Sequence, residues 1–391
     1  MARLGDVFPL IRNGASIKQT DGAGGYPITR IETIANREVD RSKFGYADIE
    51  DVAKYQDYLL QDGDILMSHI NSEKHLGKVA LYHAVNEEKI VHGMNLLMLR
   101  ADRDLIQSNY AAYFFNSDAF LRQIPNITKK YVNQASFTVT ALKELTIPVP
   151  QLSKQEEISE KLDRISNLIS LRKQQLAKLD ELVKARFVEL FGDPVTNEKN
   201  WPRVTLGDIC EIGSSKRVFE KDYVPSGIPF FRTKEIVELS KGNPISTELF
   251  ITEEHFAELK KSYGAPKKDD LLISAVGTIG TIWIVSGDFE FYFKDGNLIQ
   301  IKSSPTFNSI FMKYLLDELI ANYKKEMSTG TAYSALTIAG LKKMLVYDVP
   351  LEFQKKFAAF VKQTDKSKLA IQQSLDKLET LKKSLMQKYF G

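Results

Sequence analysis

Residues 3–6 read RLGD and residues 205–208 read TLGD, and the 202-residue offset between them recurs along the chain. It aligns YPITRIETI (26–34) with IPFFRTKEI (228–236), superposing Arg30 on Arg232, and it aligns Asn95-Leu96 with Asn297-Leu298. Further on the offset becomes 199 and stays there. FTVTALK (137–143) meets LTIAGLK (336–342), Gln155 meets Gln354, and Phe191-Gly192 meets Phe390-Gly391. A register held over more than fifty residues is not chance. The chain is one module written twice, so its fold must build the same unit two times.

Each copy has two parts. The first, residues 1–150 and again 193–349, has short apolar runs such as DILMSH, KVALYH and NLLMLR, broken by Gly, Pro, Asn and Asp, which read as β-strands. One helix is expected in each: 108–124, with Ser108 as its N-cap, and 308–327. The second part, residues 151–192 and 350–391, is different in kind. Ile158, Leu162, Ile165, Ile169, Leu176, Leu179, Val183 and Leu190 fall at alternating steps of four and three, with Arg172 and Arg186 in the remaining slots. The second copy repeats the stripe with Phe357, Val361, Ile371, Leu375, Leu378, Leu385 and Tyr389, interrupted by Thr364, Lys368 and Lys382. At ~1.5 Å per residue such a helix spans roughly 55–60 Å. Each stripe needs a cover, and the nearest is the other helix. The reading is an α+β fold: two similar mixed α/β domains separated by an antiparallel pair of long helices, related by a pseudo-two-fold repeat.

Charge narrows the function classes. Residues 1–150 carry 17 basic and 18 acidic side chains, and residues 193–349 carry 19 and 21. Neither large segment is basic, so nucleic-acid binding must come from local clusters. The single cysteine, Cys210, cannot form an internal disulfide, and no run approaches 18 apolar residues. A reducing, cytoplasmic setting is expected.

HINSEKHLGKVALYHAVNEEKIVH (69–92) holds four of the five histidines, which raises the question of a metal or acid–base site. ILMSHINSEKHLGKVALYH (65–83) is matched in the second copy by LLISAVGTIGTIWIVSG (271–287), which has no histidine, and the histidine spacings match no zinc pattern. The shared frame is strand, Gly-containing loop, strand. Variable polar loops on a repeated frame suit two related readers of different sequences.

The double module, the paired helices and the motifs IPVPQLSKQEEI (147–158), ARFVELFGDP (185–194), NWPRVTLGD (200–208) and GTIG (277–280) together resemble the DNA specificity subunit of type I restriction–modification systems. The second helix lead-in, VYDVPLEFQKKF (346–357), departs from the pattern, with Phe353 in place of a glutamate, but keeps Gln354. The resemblance implies two target recognition domains, each reading half of a bipartite DNA sequence, with the helices setting the gap. It also implies partners: two modification (methyltransferase) subunits that bind S-adenosylmethionine, and restriction subunits. This chain itself needs no cofactor and no metal.

Candidate DNA contacts are donors on loops or at matched positions. Arg30 and Arg232 come first, then Lys18 and Arg217. Next come the loop residues Lys74, His75 and Lys78, with Thr278 in the second copy. Lys129, Lys130, Asn133 and Gln134 stand opposite Tyr333 and Ser334. Amides suit adenine edges and cations suit phosphates and guanine. No methyltransferase, P-loop or nuclease motif is present, so the chain is read as non-catalytic. Two other classes stay open: a scaffold that holds two proteins apart without reading DNA, and a metal-dependent DNA-modifying enzyme using the His69–His92 cluster.

Overall fold

A computed structural model describes residues 1–20, 24–34, 37–132, 134–328 and 335–391. The chain divides into two compact units, Met1–Lys173 with Gln373–Gly391, and Gln174–Gln372.

The first unit is built on a four-stranded antiparallel sheet in the order Leu10–Asn13, Leu96–Arg100, Ile65–Ser68, Val79–Leu81. Side chains alternate between its two faces. Ile65, Met67, Leu97 and Leu99 share a core with Tyr110, Phe114 and Phe115 of the helix Ser108–Phe115. Leu66, Ala80, Leu96 and Met98 join Ile34, Tyr82 and Ile90 on the other side. Burial on both faces is why these strands read as near-continuous apolar runs. Ile158 and Leu162, near the start of the first long helix (Leu152–Phe191), enter the same core as Phe390 at the end of the second (Leu351–Phe390).

The second unit repeats this plan. Its sheet runs Ile212–Gly213, Leu298–Ile301, Leu271–Ser274, Ile282–Ile284, again antiparallel. Leu271, Ile273, Ile299 and Ile301 face Phe311 and Leu315, and Leu272, Trp283 and Leu298 face Phe231 and Phe291. Here the end of the first long helix supplies Val183, Phe187 and Phe191, and the start of the second supplies Phe357 and Val361. The long helices therefore run antiparallel. Lys173 pairs with Glu379 at 2.9 Å, and Lys368 with Asp180 at 2.5 Å. Along the stripes Ile165 and Leu375 are buried, while Ile169, Leu176, Leu179, Ile371, Leu378 and Leu385 are half-buried. Of the polar interruptions, Thr364 is buried and donates its hydroxyl to the Phe360 carbonyl at 3.0 Å.

The repeated letters have repeated physical causes. A Cβ on Gly5 would lie 3.2 Å from Lys143 Cβ, and one on Gly207 would lie 3.0 Å from the Lys342 carbonyl oxygen. The glycine of each LGD motif lets one short helix sit against another. Thr138 caps Val139–Lys143 by accepting from the Ala141 amide, and Thr337 caps Ile338–Lys343 by accepting from the Gly340 amide. Gln155 and Gln354 are buried keystones. Gln155 accepts from the Gln107 amide (2.9 Å) and donates to the carbonyls of Leu105 (3.0 Å) and Pro150 (2.8 Å). Gln354 accepts from the Asn308 amide (2.8 Å) and donates to the Val349 carbonyl (2.7 Å). Each ties the start of a long helix to the start of its module's own helix.

That arrangement corrects the expected cap. Ser108 is the first helical residue, Gln107 is the N-cap, and the Gln107 amide is satisfied by Gln155. The expected helix 108–124 is also broken. The Asn116 side-chain amide donates back to the Ala112 carbonyl, and Ser117 starts a new turn, Asp118–Leu121, by accepting from the Phe120 amide. Its counterpart Ser309–Ser328 continues as one helix.

Candidate nucleic-acid interface

Loops leaving one end of each sheet carry most of the donor candidates. In the first unit this is the end where Asn13 pairs with Leu97 and Ser68 with Leu96. Beyond Ser68 the chain continues as Ile70–Asn71 and joins a three-stranded ribbon with Ala135–Ser136 and Lys129–Lys130. Two segments some sixty residues apart in sequence thus form one surface. Lys74, Lys129, Lys130 and Gln134 are exposed on it, and His75 and Lys78 are half-buried. The Tyr131 amide donates to the Gln134 carbonyl at 2.7 Å and closes the tip, where Tyr131 is 64 % and Val132 fully exposed. One acid tempers the ribbon: Glu73 pairs with Lys130 at 2.7 Å. Burial, then the charges of Lys78 and Lys74, holds His75 below its ordinary pKa. A neutral imidazole there offers one donor and one acceptor. Asn133 lies outside the described residues.

In the second unit the matching end is where Ser274 pairs with Leu298. The Ala275 amide donates to the Asn297 carbonyl at 2.8 Å, and the following turn carries positive φ at Gly277 and Gly280. A Cβ on Gly280 would approach Ile320 to 2.6 Å, so the GTIG turn needs its glycine to seat on the helix beneath. The Thr278 carbonyl accepts from Ser274 and Thr281 hydroxyls, leaving an exposed side chain. Arg217 comes to this end through its pair with Asp295 at 3.2 Å. Tyr333 and Ser334 lie outside the described residues.

The matched arginines are half-buried and engaged inside their modules. Arg30 donates to Gln19 Oε1 (2.7 Å) and the Thr20 carbonyl (3.3 Å), lying over Gly45, where a Cβ would come within 2.3 Å of its Nε. Arg232 pairs with the buried carboxylate of Glu235 at 2.8 Å. Lys18 is exposed beside Asp48 at 3.7 Å.

The four clustered histidines fall into different settings. His69 and His92 are buried, His75 sits on the reading loop, and His83 is exposed near Asp62 at 3.8 Å. Among the described residues, no group of three or more His, Cys, Asp or Glu side chains is placed to hold a metal, and no helix is long and apolar enough to cross a membrane. Sequence reasoning missed the pairing of the ribbon, because two-residue strands leave no usable alternation. It also missed Lys216, whose ammonium lies 5.4 Å from the centre of the Tyr263 ring.

A family model described as the type I restriction modification DNA specificity domain matches the chain twice, over residues 1–181 and 198–382. The chain belongs to this DNA specificity family. It is 32 % identical over 402 residues to the chain assigned as the type I restriction enzyme MjaX specificity subunit of Methanocaldococcus jannaschii, covering 98 % of this chain and 90 % of that one. It is 27 % identical to the chain assigned as the type I restriction enzyme specificity subunit S.HindORF215P of Haemophilus influenzae, over 84 % of this chain and 75 % of that one. It shares its fold with the crystal structure of a type I S subunit from M. genitalium, with a TM-score of 0.60 at 16 % identity, covering 100 % and 95 % of the two chains. As a specificity subunit the chain recognises DNA sequence and has a non-catalytic role.

Proposed function

We propose that this specificity subunit reads a bipartite DNA target in the cytoplasm, one half-site per module, with the antiparallel helices setting the gap between them. Two methyltransferase subunits, which carry S-adenosylmethionine, and the restriction subunits are brought to that target. The observation that carries this reading is the duplicated sheet end: one strand frame, built twice, with different donors on its loops. Two identical frames with identical loops would read one sequence twice, whereas different loops give two half-sites. Lys74, His75, Lys78, Lys129, Lys130 and Gln134 serve the first half, with Lys18 on the backbone, and Thr278 and Arg217 serve the second. Arg30 and Arg232 act by holding their modules in shape. Asn133, Tyr333 and Ser334 keep the role the sequence suggests for them.

The test is to exchange residues 1–150 for the equivalent segment of another family member and to sequence the methylated sites of a host that carries the assembled complex. One half-site should change and the other stay. A change of protein partners with the methylated sequence unaltered would support the scaffold reading instead.

A further inference from the structure

The two modules carry their positive charge in different places. In the first, the hairpin loop after Ser68 bears Lys74, His75 and Lys78, whereas the segment from Ser16 to Thr29 contains one cation, Lys18. In the second the distribution is reversed. The loop after Ser274, AVGTIGT, has no charged residue, and the segment leaving Gly213 bears Lys216, Arg217 and Lys221, with Glu220 and Asp222 among them. That segment is anchored at the reading end of the sheet. Ser214 donates its hydroxyl to the Leu298 carbonyl (2.9 Å), Ser215 donates to the Phe293 carbonyl (2.6 Å), and the Lys216 amide donates to the Tyr292 hydroxyl (2.9 Å). Val218 is buried against Phe256 and Leu259 of the helix Glu253–Tyr263, which fixes the next residue outward. That residue, Phe219, is 55 % exposed, with the Lys221 ammonium 5.9 Å from its ring centre. Tyr263, also 55 % exposed, carries Lys216 over its face.

A phenylalanine held outward by a buried neighbour, its amide donating to Asp222 at 3.1 Å and Lys221 over its ring, has no role in the core. We infer that Phe219 is a specificity-determining residue for the half-site read by the second module, packing its ring against apolar base or sugar surface in a groove while Lys216 and Lys221 hold the flanking phosphates. The inference rests on the DNA-reading function proposed above. It assigns the second module a reading centre one loop away from that of the first. Rings and thymine methyls are read by contact, and lysines fix position without reading sequence.

The experiment uses the full chain assembled with its methyltransferase subunits. Phe219→Ala, Phe219→Leu and Lys221→Ala are compared with the unaltered chain by genome-wide methylation and by DNA affinity as a function of salt. Phe219→Ala should lower affinity for the cognate site about tenfold or more and relax base preference in one half-site only, with Phe219→Leu intermediate. Lys221→Ala should weaken binding to all sequences and reduce the salt slope by about 1. Thermal stability should move little, because more than half of Phe219 is exposed. The inference is overturned if Phe219→Ala leaves both half-site preferences and the affinity unchanged while the unaltered complex methylates a bipartite sequence. If the unaltered complex shows no bipartite preference at all, the broader functional reading fails first.

Discussion

Lowering the pH from 7.5 to 5 should loosen the first unit and leave the second nearly unchanged. His69 and His92 are 5 % and 0 % exposed, and each has a ring nitrogen with no hydrogen-bond partner. Burial holds their pKa values down at about 4 and about 3. In the unfolded chain a histidine titrates near ~6.5. The folded values are the lower ones, so the unfolded state takes up protons first. The stability that depends on these rings staying neutral is complete above roughly pH 6.5 and is lost as the pH falls toward 4 and then 3. At pH 5 the unfolded side chains are about 1.5 units below their pKa while both folded rings remain almost wholly neutral. At ~1.36 kcal/mol per unit, each ring costs about 2 kcal/mol and the pair about 4. That is a large share of the ~5–15 kcal/mol that holds a typical domain together. The second unit contains only His255, which is half-buried, and it also contains both tryptophans, Trp201 and Trp283. Urea unfolding followed by tryptophan fluorescence therefore reports the second unit. Amide exchange of peptides covering Ile65–Ser68 and Leu96–Arg100, corrected for intrinsic rates, reports the first. Equal losses in both units, or an unaltered pH slope in a His69→Gln/His92→Gln chain, would refute the burial argument.

Gln155→Ala should destabilise its own unit by about 2–4 kcal/mol, since it leaves the Gln107 amide and two carbonyls without partners, and amide exchange should locate the loss there. Gln354→Ala should act the same way in the second unit, by somewhat less, as fewer bonds are lost. Lys129→Ala should reduce the salt slope of DNA binding by about 1, and Lys130→Ala by less, because Glu73 already offsets the Lys130 charge. A four-residue insertion within residues 160–185 should change the number of unspecified base pairs in the methylated sequence; an unchanged gap with altered affinity only would count against the helices as the spacer.

The parts of the fold visible in the sequence are those fixed by local pattern. The duplicated letters, the stripe of the long helices and the apolar strands all announce themselves over ten or more residues. Cooperation across distance stayed hidden. Gln155 aligns with Gln354 in sequence, but its work as a cap for a helix 48 residues away becomes visible only in three dimensions. The break at Asn116-Ser117 depends on side chains that turn back onto their own backbone, in competition with the helical pattern. Arg30 and Arg232 were conspicuous as matched cations. Each also has a partner within its own module, Gln19 for Arg30 and Glu235 for Arg232, that the alignment alone does not reveal. The lysines of the ribbon were legible as a basic string, but their union with residues 70–75 was not.

Phe390 packs 5.3 Å from Tyr110 and 5.9 Å from Phe114, so it completes a core that also holds Leu4, Val7 and Phe8. The second unit, by contrast, is one uninterrupted stretch, Gln174–Gln372. On the ribosome the order of closure is therefore inverted. The module translated first receives the last residue of its core, Phe390, only after the final residue of the second unit, Gln372, has been made. The same geometry bears on the exchange of modules between genes. A newcomer at residues 1–150 inherits Phe390 as a fixed plug and must present a cavity that accepts it. Recombination can thus vary the reading loops freely, but the helix that receives that ring much less so.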